Sequence, residues 1–421
     1  MKIYKFGGAS INSVERIKNT GNIIKDHSGQ KLLLVISAMG KTTNALETVV
    51  NAYFENRKED ALKLFEQVKQ HHLDTLKFLT VLHWHQAEKK LKDFFTEVEW
   101  MLHDKPVRPY DYYYDQIVCC GELLSSNMVC NYLIEEKVNA TWVDVRDIVR
   151  TDNNFRDAGV DWAVTQQNIE NDVLPLFQEF DVVVTQGFIG ATDENESTTL
   201  GREGSDYSAA IFANQIQAES VTIWKDVDAI MNADPKQFKD AVKMPELSYH
   251  EVIEMAYYGA QVIHPKTIKP LQNKNIPLYV KSFLDPSLQG TVISNANVKN
   301  LPPVIVIKEK QVLIQFKSKD YSFVEDKPVA QLHEIFRRVK TKANLSQNTA
   351  ISLLCCCDDH YEKIDKLAQE ASTIFDVELE RNLSLLTIRH YDEETIKKLA
   401  GDKTIVLEQK TINTIQMVLR G

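Results

Sequence analysis

Lys2-Ile3-Tyr4-Lys5-Phe6-Gly7-Gly8-Ala9-Ser10 is the stretch on which the reading of this 421-residue chain turns. Apolar and β-prone residues run straight into two glycines, with a lysine one step before the turn. The pattern predicts a strand over Lys2–Phe6, a glycine turn and a helix that begins near Ile11. Glycine reaches dihedrals closed to other residues, so such a turn can wrap backbone N–H groups around an anion. The helix start aims its positive end at the same point, and Lys5 adds a full charge. No G-x-x-x-x-G-K-[ST] loop occurs in the chain. Gly-Gly after a strand also makes an ordinary tight turn. A phosphate cradle therefore needs support from elsewhere in the sequence.

The bulk numbers narrow the field. A chain of 421 residues has room for two or three cores. Hydrophobic residues make up 43% and charged residues 26%, which suits a soluble globular protein. A net charge of −10 without a basic cluster argues against a nucleic-acid surface. No apolar run approaches the ~20 residues of a membrane span, and the N-terminus has no signal-peptide core, so a cytoplasmic protein is expected. The six cysteines show no C-x-x-C spacing. Cys355, Cys356 and Cys357 are consecutive in a strand-like run and would point to alternate faces, so they cannot meet at one metal. Neither the cysteines nor the histidines predict a metal site.

From residue 1 to about 295, strand-like runs alternate with amphipathic helical stretches, which implies an α/β domain with a mainly parallel sheet between helical layers. The strands predicted are Lys2–Phe6, Leu32–Ser37, Ala140–Val145, Asp181–Phe188, Val221–Trp224 and Pro277–Ser282. A helical excursion spans about 45–102. Residues 296–303, with Asn and Pro-Pro, read as a linker. Beyond it a smaller α+β region is predicted, with strands at Val304–Ile307, Val312–Phe316, Ala350–Cys357, Ser384–His390, Thr404–Glu408 and Thr414–Leu419. Helices are placed at Val329–Val339, Glu362–Phe375 and Glu394–Leu399.

Parallel sheets bind ligands at the carboxyl ends of their strands, and four further clusters fall there. Ser37 to Asn44 offers hydroxyls and N–H groups, or simply a loop with a Thr N-cap. Gly121-Glu122 puts a carboxylate into the apolar helical run Gln116–Leu133, where it needs an ion-pair partner or a ligand ammonium. Thr198 to Tyr207 carries Arg202, a fork for a carboxylate, then Ser205 as a good N-cap and Asp206 in the first helical turn. Lys225-Asp226 and Ala233-Asp234-Pro235-Lys236 suit a nucleotide and its magnesium, or a solvated turn. Gly259 stops a helix and Pro265 starts the next, with His264 as a helix cap.

In this order the motifs resemble the aspartate kinases of the amino-acid kinase family. The matching residues are Lys5 to Ser10, Thr185-Gln186-Gly187-Phe188, Thr199 to Arg202, Gly204 to Tyr207, Ala233-Asp234-Pro235, Gly259-Ala260 and His264-Pro265. The resemblance implies a carbamate kinase-like α/β fold over 1–295 and transfer of the γ-phosphate of ATP to the side-chain carboxylate of L-aspartate. It implies Lys5 and Asp206 as catalytic residues. Thr43, Glu122, Arg202 and Ser205 would hold aspartate, with Glu122 on its ammonium and Arg202 on its α-carboxylate. Lys5, Gly7, Gly8, Ser37, Lys225, Asp226, Met231, Lys236 and Gln261 would serve ATP, with Mg2+ carried on the phosphates rather than on side chains.

Several positions depart from the family's usual pattern. Glu203 stands where glycine is frequent and is read as pointing away from the substrate. Lys225 replaces a threonine, Met231 a tyrosine and Gln261 a lysine. Residues 304–421 resemble paired ferredoxin-like ACT modules. One module (about 312–379) is inserted into another, made of 304–307 and 384–421, and the chain ends where many relatives continue with a helix. Lysine or threonine is the effector implied, near Lys317 to Phe323, and a homodimer through ACT edges is expected. Two rival readings are a sibling kinase of glutamate, N-acetylglutamate, carbamate or UMP, and a non-catalytic ACT amino-acid sensor.

Overall fold

The computed structural model describes every residue except Ser28, Tyr321 and Glu325, together with all side chains but theirs and those of Asp326 and Lys327. Tyr321, part of the expected effector segment, thus lies outside the described residues. The chain divides into two compact units. One comprises Met1–Ile230, Lys243–Ile253 and Val262–Val298; the other comprises Met231–Val242, Glu254–Gln261 and Lys299–Gly421.

The first unit is built on β1 (Lys2–Phe6), β2 (Leu32–Ile36), β3 (Ala140–Trp142), β4 (Val182–Gln186), the hairpin β5 (Ile189–Ala191) and β6 (Ser197–Thr199), β7 (Ser220–Lys225), β8 (Glu246–Ser248), β9 (Leu278–Ser282) and β10 (Thr291–Ser294). Its main sheet runs β3-β4-β2-β1-β7-β9-β10-β8. All neighbours are parallel except β9 and β10. Strand β2 reads Leu-Leu-Leu-Val-Ile and is buried at every position, as expected of a parallel strand covered on both faces. The strands β5, β6, β8 and β10 were not anticipated. Each has three or four residues, too few to show a period.

A 3-10 turn over Gly8–Ile11 precedes α1 (Val14–Lys25). The helix therefore starts later than the sequence suggested. Ser13 is its cap, with its hydroxyl accepting the Arg16 N–H. The excursion is three helices, α2 (Thr42–Phe54), α3 (Lys58–Lys77) and α4 (Trp84–His103). Lys41, not a threonine, occupies the α2 cap position; the Thr42 hydroxyl donates to Met39 O instead. The Gln116–Leu133 run is two helices, α5 (Tyr110–Val118) and α6 (Cys120–Glu135). By length and composition alone, Tyr110–Glu135 would pass for a membrane span, which the sequence reading did not foresee; 94% of its most apolar window is buried inside the protein. The strand expected over Ala140–Val145 stops at Trp142, because Asp144 caps α7 (Val145–Ile148). Then follow α8 (Trp162–Asn168), α9 (Gly204–Ile216), α10 (Tyr249–Tyr258) and α11 (Pro265–Asn273). Gly259 ends α10 at φ +108°, and the His264 ring nitrogen caps α11 by accepting the Lys266 N–H.

The second unit is one antiparallel sheet of β11 (Val304–Ser318), β12 (Ala343–Asn348), β13 (Ser352–Asp358), β14 (Phe375–Arg389), β15 (Thr404–Lys410) and β16 (Thr414–Arg420), ordered β12-β13-β11-β14-β16-β15. Helices α12 (Asp326–Val339), α13 (Tyr361–Ala371) and α14 (Glu393–Ala400) accompany it. The two strands expected at Val304–Ile307 and Val312–Phe316 are a single strand. The polar Lys308–Gln311 interruption is a register shift against β14, with Lys310 at φ +55°. Likewise α13 ends at Ala371, and Phe375 begins β14 rather than closing the helix. The strand β12 was missed because Ala-Asn-Leu-Ser-Gln-Asn is polar and sits at the sheet edge. Cys355 and Cys357 pack with Phe316 and Leu367, while Cys356 packs with Leu313 and Leu385 on the other face. All six cysteines are buried free thiols. The segments Met231–Val242 and Glu254–Gln261 join this unit through Asn232 Nδ2 on Pro303 O (2.8 Å) and Arg389 Nη1 on Glu254 Oε2 (2.9 Å).

Leu34, fully buried in β2 between Tyr4 and Val184 of its neighbours, tests the central sheet. Leu34→Ala should cost about 2–5 kcal/mol in denaturant unfolding; a cost under about 1 kcal/mol would contradict the packing described.

Candidate active site

The strands β1, β2, β4 and β7 run parallel, so their carboxyl ends open on one side. There a cavity of about 600 Å³ is lined by Lys5 and Gly7–Ser10 after β1, Ser37 and Ala38 after β2, Phe188 after β4, and Lys225 and Asp226 after β7. The glycines are there for space. A Cβ on Gly8 would lie 2.8 Å from Ala38 O and 2.9 Å from Gly40 O, and the Gly40 N–H already donates to Gly8 O. A Cβ on Gly187 would strike Ser205 at 2.6 Å, so the start of α9 rests directly on the β4 turn.

Lys5 and Asp206 form an ion pair of 2.6 Å, almost fully buried on both sides. Lys225 Nζ stands 3.9 Å from the other Asp206 oxygen and donates to Val262 O. Burial alone would raise the Asp206 carboxyl. The Lys5 ammonium, with that of Lys225 behind it, outweighs burial and holds the group below its ordinary range. Glu122 has the opposite balance. It is 2% exposed; one oxygen accepts the Ala38 N–H at 3.2 Å, and Oε2 has no hydrogen-bond partner. Burial pushes its carboxyl up to about 8, against the opposing Ala38 N–H and Lys5 charge. Arg202 lines the same cavity, and its guanidinium makes no ion pair with a described carboxylate. A cationic cradle, a guanidinium fork and a half-satisfied carboxylate thus face one space, a charge layout that matches an amino acid next to a phosphate.

Lys5, Gly7, Gly8, Ser37, Thr43, Glu122, Arg202, Ser205, Asp206, Lys225 and Asp226 all line this cavity. Met231, Lys236 and Gln261 belong to the second unit and are absent from its lining. Ser205 is not the cap of α9; it sits in the first turn, and the cap position is Glu203 at φ +54°. That left-handed backbone is the physical reason a glycine would be at ease there. The Glu203 carboxylate accepts the His264 N–H at 2.9 Å, although the residue also lines the cavity. Among the described residues, no cluster of His, Cys, Asp and Glu could hold a metal.

The sequence motifs leave out Tyr114, Asp115 and Arg156, and they give Thr199 no role of its own. Asp115 is fully buried and accepts the Thr199 N–H (2.8 Å), the Thr199 hydroxyl (2.7 Å) and the Arg156 N–H (3.0 Å). It ties β6 and the 152–157 loop to α5. Burial pushes its carboxyl up to about 6, against these three bonds. The available signal was a lone acid inside the apolar run Tyr113–Val118.

The raised Glu122 carboxyl has a stability consequence. In the folded chain the group keeps its proton up to about 8, whereas an unfolded chain loses it near the ordinary carboxyl value of 4.5. Stability from this group is complete below the lower value and declines as pH rises through the upper one. Glu122→Gln should therefore flatten the Tm–pH profile between pH 5 and 8 and melt higher than wild type at pH 8. Parallel profiles by calorimetry would contradict the assignment.

Residues 1–282 match a model described as the amino acid kinase family. The lysine-sensitive aspartokinase 3 of Escherichia coli (strain K12) is 29% identical over 397 residues, 92% of this chain and 86% of that protein. The chloroplastic bifunctional aspartokinase/homoserine dehydrogenase 1 of Zea mays is 32% identical over 69% of this chain, and the chain spans only about a third (32%) of that longer relative. The crystal structure of E. coli aspartokinase III with aspartate and ADP, in its R-state, matches 100% of this chain and 96% of its own, with a TM-score of 0.81 and 25% identity. With a matching profile over its first 282 residues and the glycine cradle at its parallel strand ends, the chain belongs to the amino acid kinase family.

Proposed function

We infer that this chain is an aspartate kinase, which transfers the γ-phosphate of ATP to the side-chain carboxylate of L-aspartate and yields 4-phospho-L-aspartate and ADP. The observation that carries the reading is the shared cavity of Lys5–Asp206, Glu122 and Arg202. An oxygen of the aspartate carboxylate attacks the γ-phosphorus, and the bond to the β,γ-bridging oxygen breaks as ADP leaves with its charge. The attacking carboxylate carries no proton at pH 7, so the site needs no general base. Positioning and charge stabilisation are the whole of its task.

Lys5 neutralises the phosphoryl group in transit, with the N–H groups of Gly7 and Gly8 on its oxygens. Asp206 orients the Lys5 ammonium. Arg202 binds the α-carboxylate and Glu122 the α-ammonium, while Thr43 and Ser205 add hydrogen bonds. Ser37, Lys225 and Asp226, all on the cavity wall, serve the nucleotide. MgATP is the substrate, and its ion rides on the phosphates.

The domain plan that accompanies this reading is a kinase domain over 1–295, a linker over 296–303 and paired ACT modules over 304–421. Lysine or threonine acts as effector on the ACT region, and two copies pair through its sheet edges; the lysine sensitivity of the E. coli relative supports the former. The product enters lysine, methionine and threonine synthesis. Six reduced, buried cysteines suit a cytoplasmic setting.

Trapping of the acyl phosphate with hydroxylamine in the presence of MgATP tests the reaction. Hydroxamate should form with L-aspartate and not with L-glutamate. Lys5→Ala should lower the rate by about 10²-fold or more, the usual scale for one lost charge stabiliser. Hydroxamate from glutamate would favour a sibling kinase, and none from either amino acid would leave the sensor reading in place.

A further inference from the structure

Arg156 is a second guanidinium on the cavity wall, and nothing in the phosphoryl transfer derived above uses it. Its placement is built rather than incidental. The backbone sits at φ +71°, a region that side chains seldom adopt, and is held there by its N–H on the buried Asp115 carboxylate. Asp115 also grips Thr199, another cavity residue, so the loop that carries Arg156 is fixed to the cavity wall. The guanidinium lies 4.3 Å from the ring centre of Tyr114, itself a lining residue. The backbone of Arg156 also adjoins the loop of Arg202: a Cβ on Gly201 would come within 3.2 Å of the Arg156 carbonyl.

Its present charge partners are poor. Asp111 is 3.3 Å away and 58% exposed, and Glu47 is 3.9 Å away and 41% exposed. Exposed pairs of this kind are weak and readily exchanged. A carboxylate bound inside the cavity, between aromatic and backbone walls, is a better partner for a planar fork than either.

We propose that Arg156 is a specificity-determining residue, a second cation for the α-carboxylate of the amino-acid substrate beside Arg202. This rests on the aspartate kinase reading. Arg156 leaves Asp111 and Glu47 when substrate enters, and Tyr114 supports the stem of its guanidinium throughout. The α-carboxylate, rather than the one that reacts, is its target because Arg156 shares the Gly201–Arg202 side of the cavity.

The test is the steady-state kinetics of Arg156→Gly, a change that suits the local backbone, since glycine adopts positive φ without strain. The KM for L-aspartate should rise about tenfold, with the KM for MgATP within twofold of wild type and Tm no lower. Arg156→Lys, which keeps the charge but loses the fork, should fall between the two. The α-amide of aspartate, which lacks the charge in question, should inhibit wild type and Arg156→Gly equally. An aspartate KM unmoved in Arg156→Gly overturns the proposal, as does an equal loss of affinity for the amide or a matching rise in the KM for MgATP. A wild-type chain with no activity on aspartate overturns this proposal and the functional reading together, whereas an active wild type with an unmoved KM overturns this one alone.

Discussion

The contact between Lys5 and Asp206 is the constraint to which the rest of the site is subordinate. One charge comes from Lys5 near the end of the central strand and the other from Asp206 in the first turn of α9, 201 positions further along the chain. Neither group is stable alone at that depth, because a buried charge without its partner is costly. The pair therefore forces the start of α9 against β1. The glycine of the β4 turn follows from it: a Cβ on Gly187 would lie 2.6 Å from Ser205, so only glycine lets α9 rest there. Lys225, one strand over, shares Asp206 and keeps the local sum positive, which is the sign a phosphate requires.

Glu122 is the counterweight. It is carried on α6, buried at all but its last positions, so the carboxylate reaches the cavity through packing rather than through solvent. Its unpartnered oxygen marks an incomplete hydrogen-bond set that a ligand ammonium would complete. The cavity thus presents three kinds of group: the Lys5 ammonium, the Arg202 guanidinium and a buried carboxyl held up to about 8.

Much of this was legible from particular residues. Leu32–Ile36 announces a doubly covered parallel strand, and Gly7-Gly8 announces where β1 ends in a turn. The alternation of Cys355, Cys356 and Cys357 between two cores was readable from the period of a strand. What failed was local geometry that depends on distant partners. Ser205 has the chemistry of a cap, yet Glu203 takes the cap position because the loop enters α9 through a left-handed residue. Lys308–Gln311 looked like a break between strands, and a bulge carried the strand across it. Asp115 and Arg156 gave no motif at all. Their roles arise from a meeting of α5, β6 and the 152–157 loop, which only the folded chain brings together.

The central claim is that the cavity answers an amino acid charge for charge, with Glu122 reserved for its ammonium. Isothermal titration calorimetry of L-aspartate at pH 7, in buffers that differ in ionisation enthalpy, tests it directly. A carboxyl held up to about 8 is largely protonated at that pH, so ionising it against the ammonium should release nearly one proton per aspartate bound. The Glu122→Gln chain should release none. Binding heats that do not change with buffer in the wild-type chain would contradict the account.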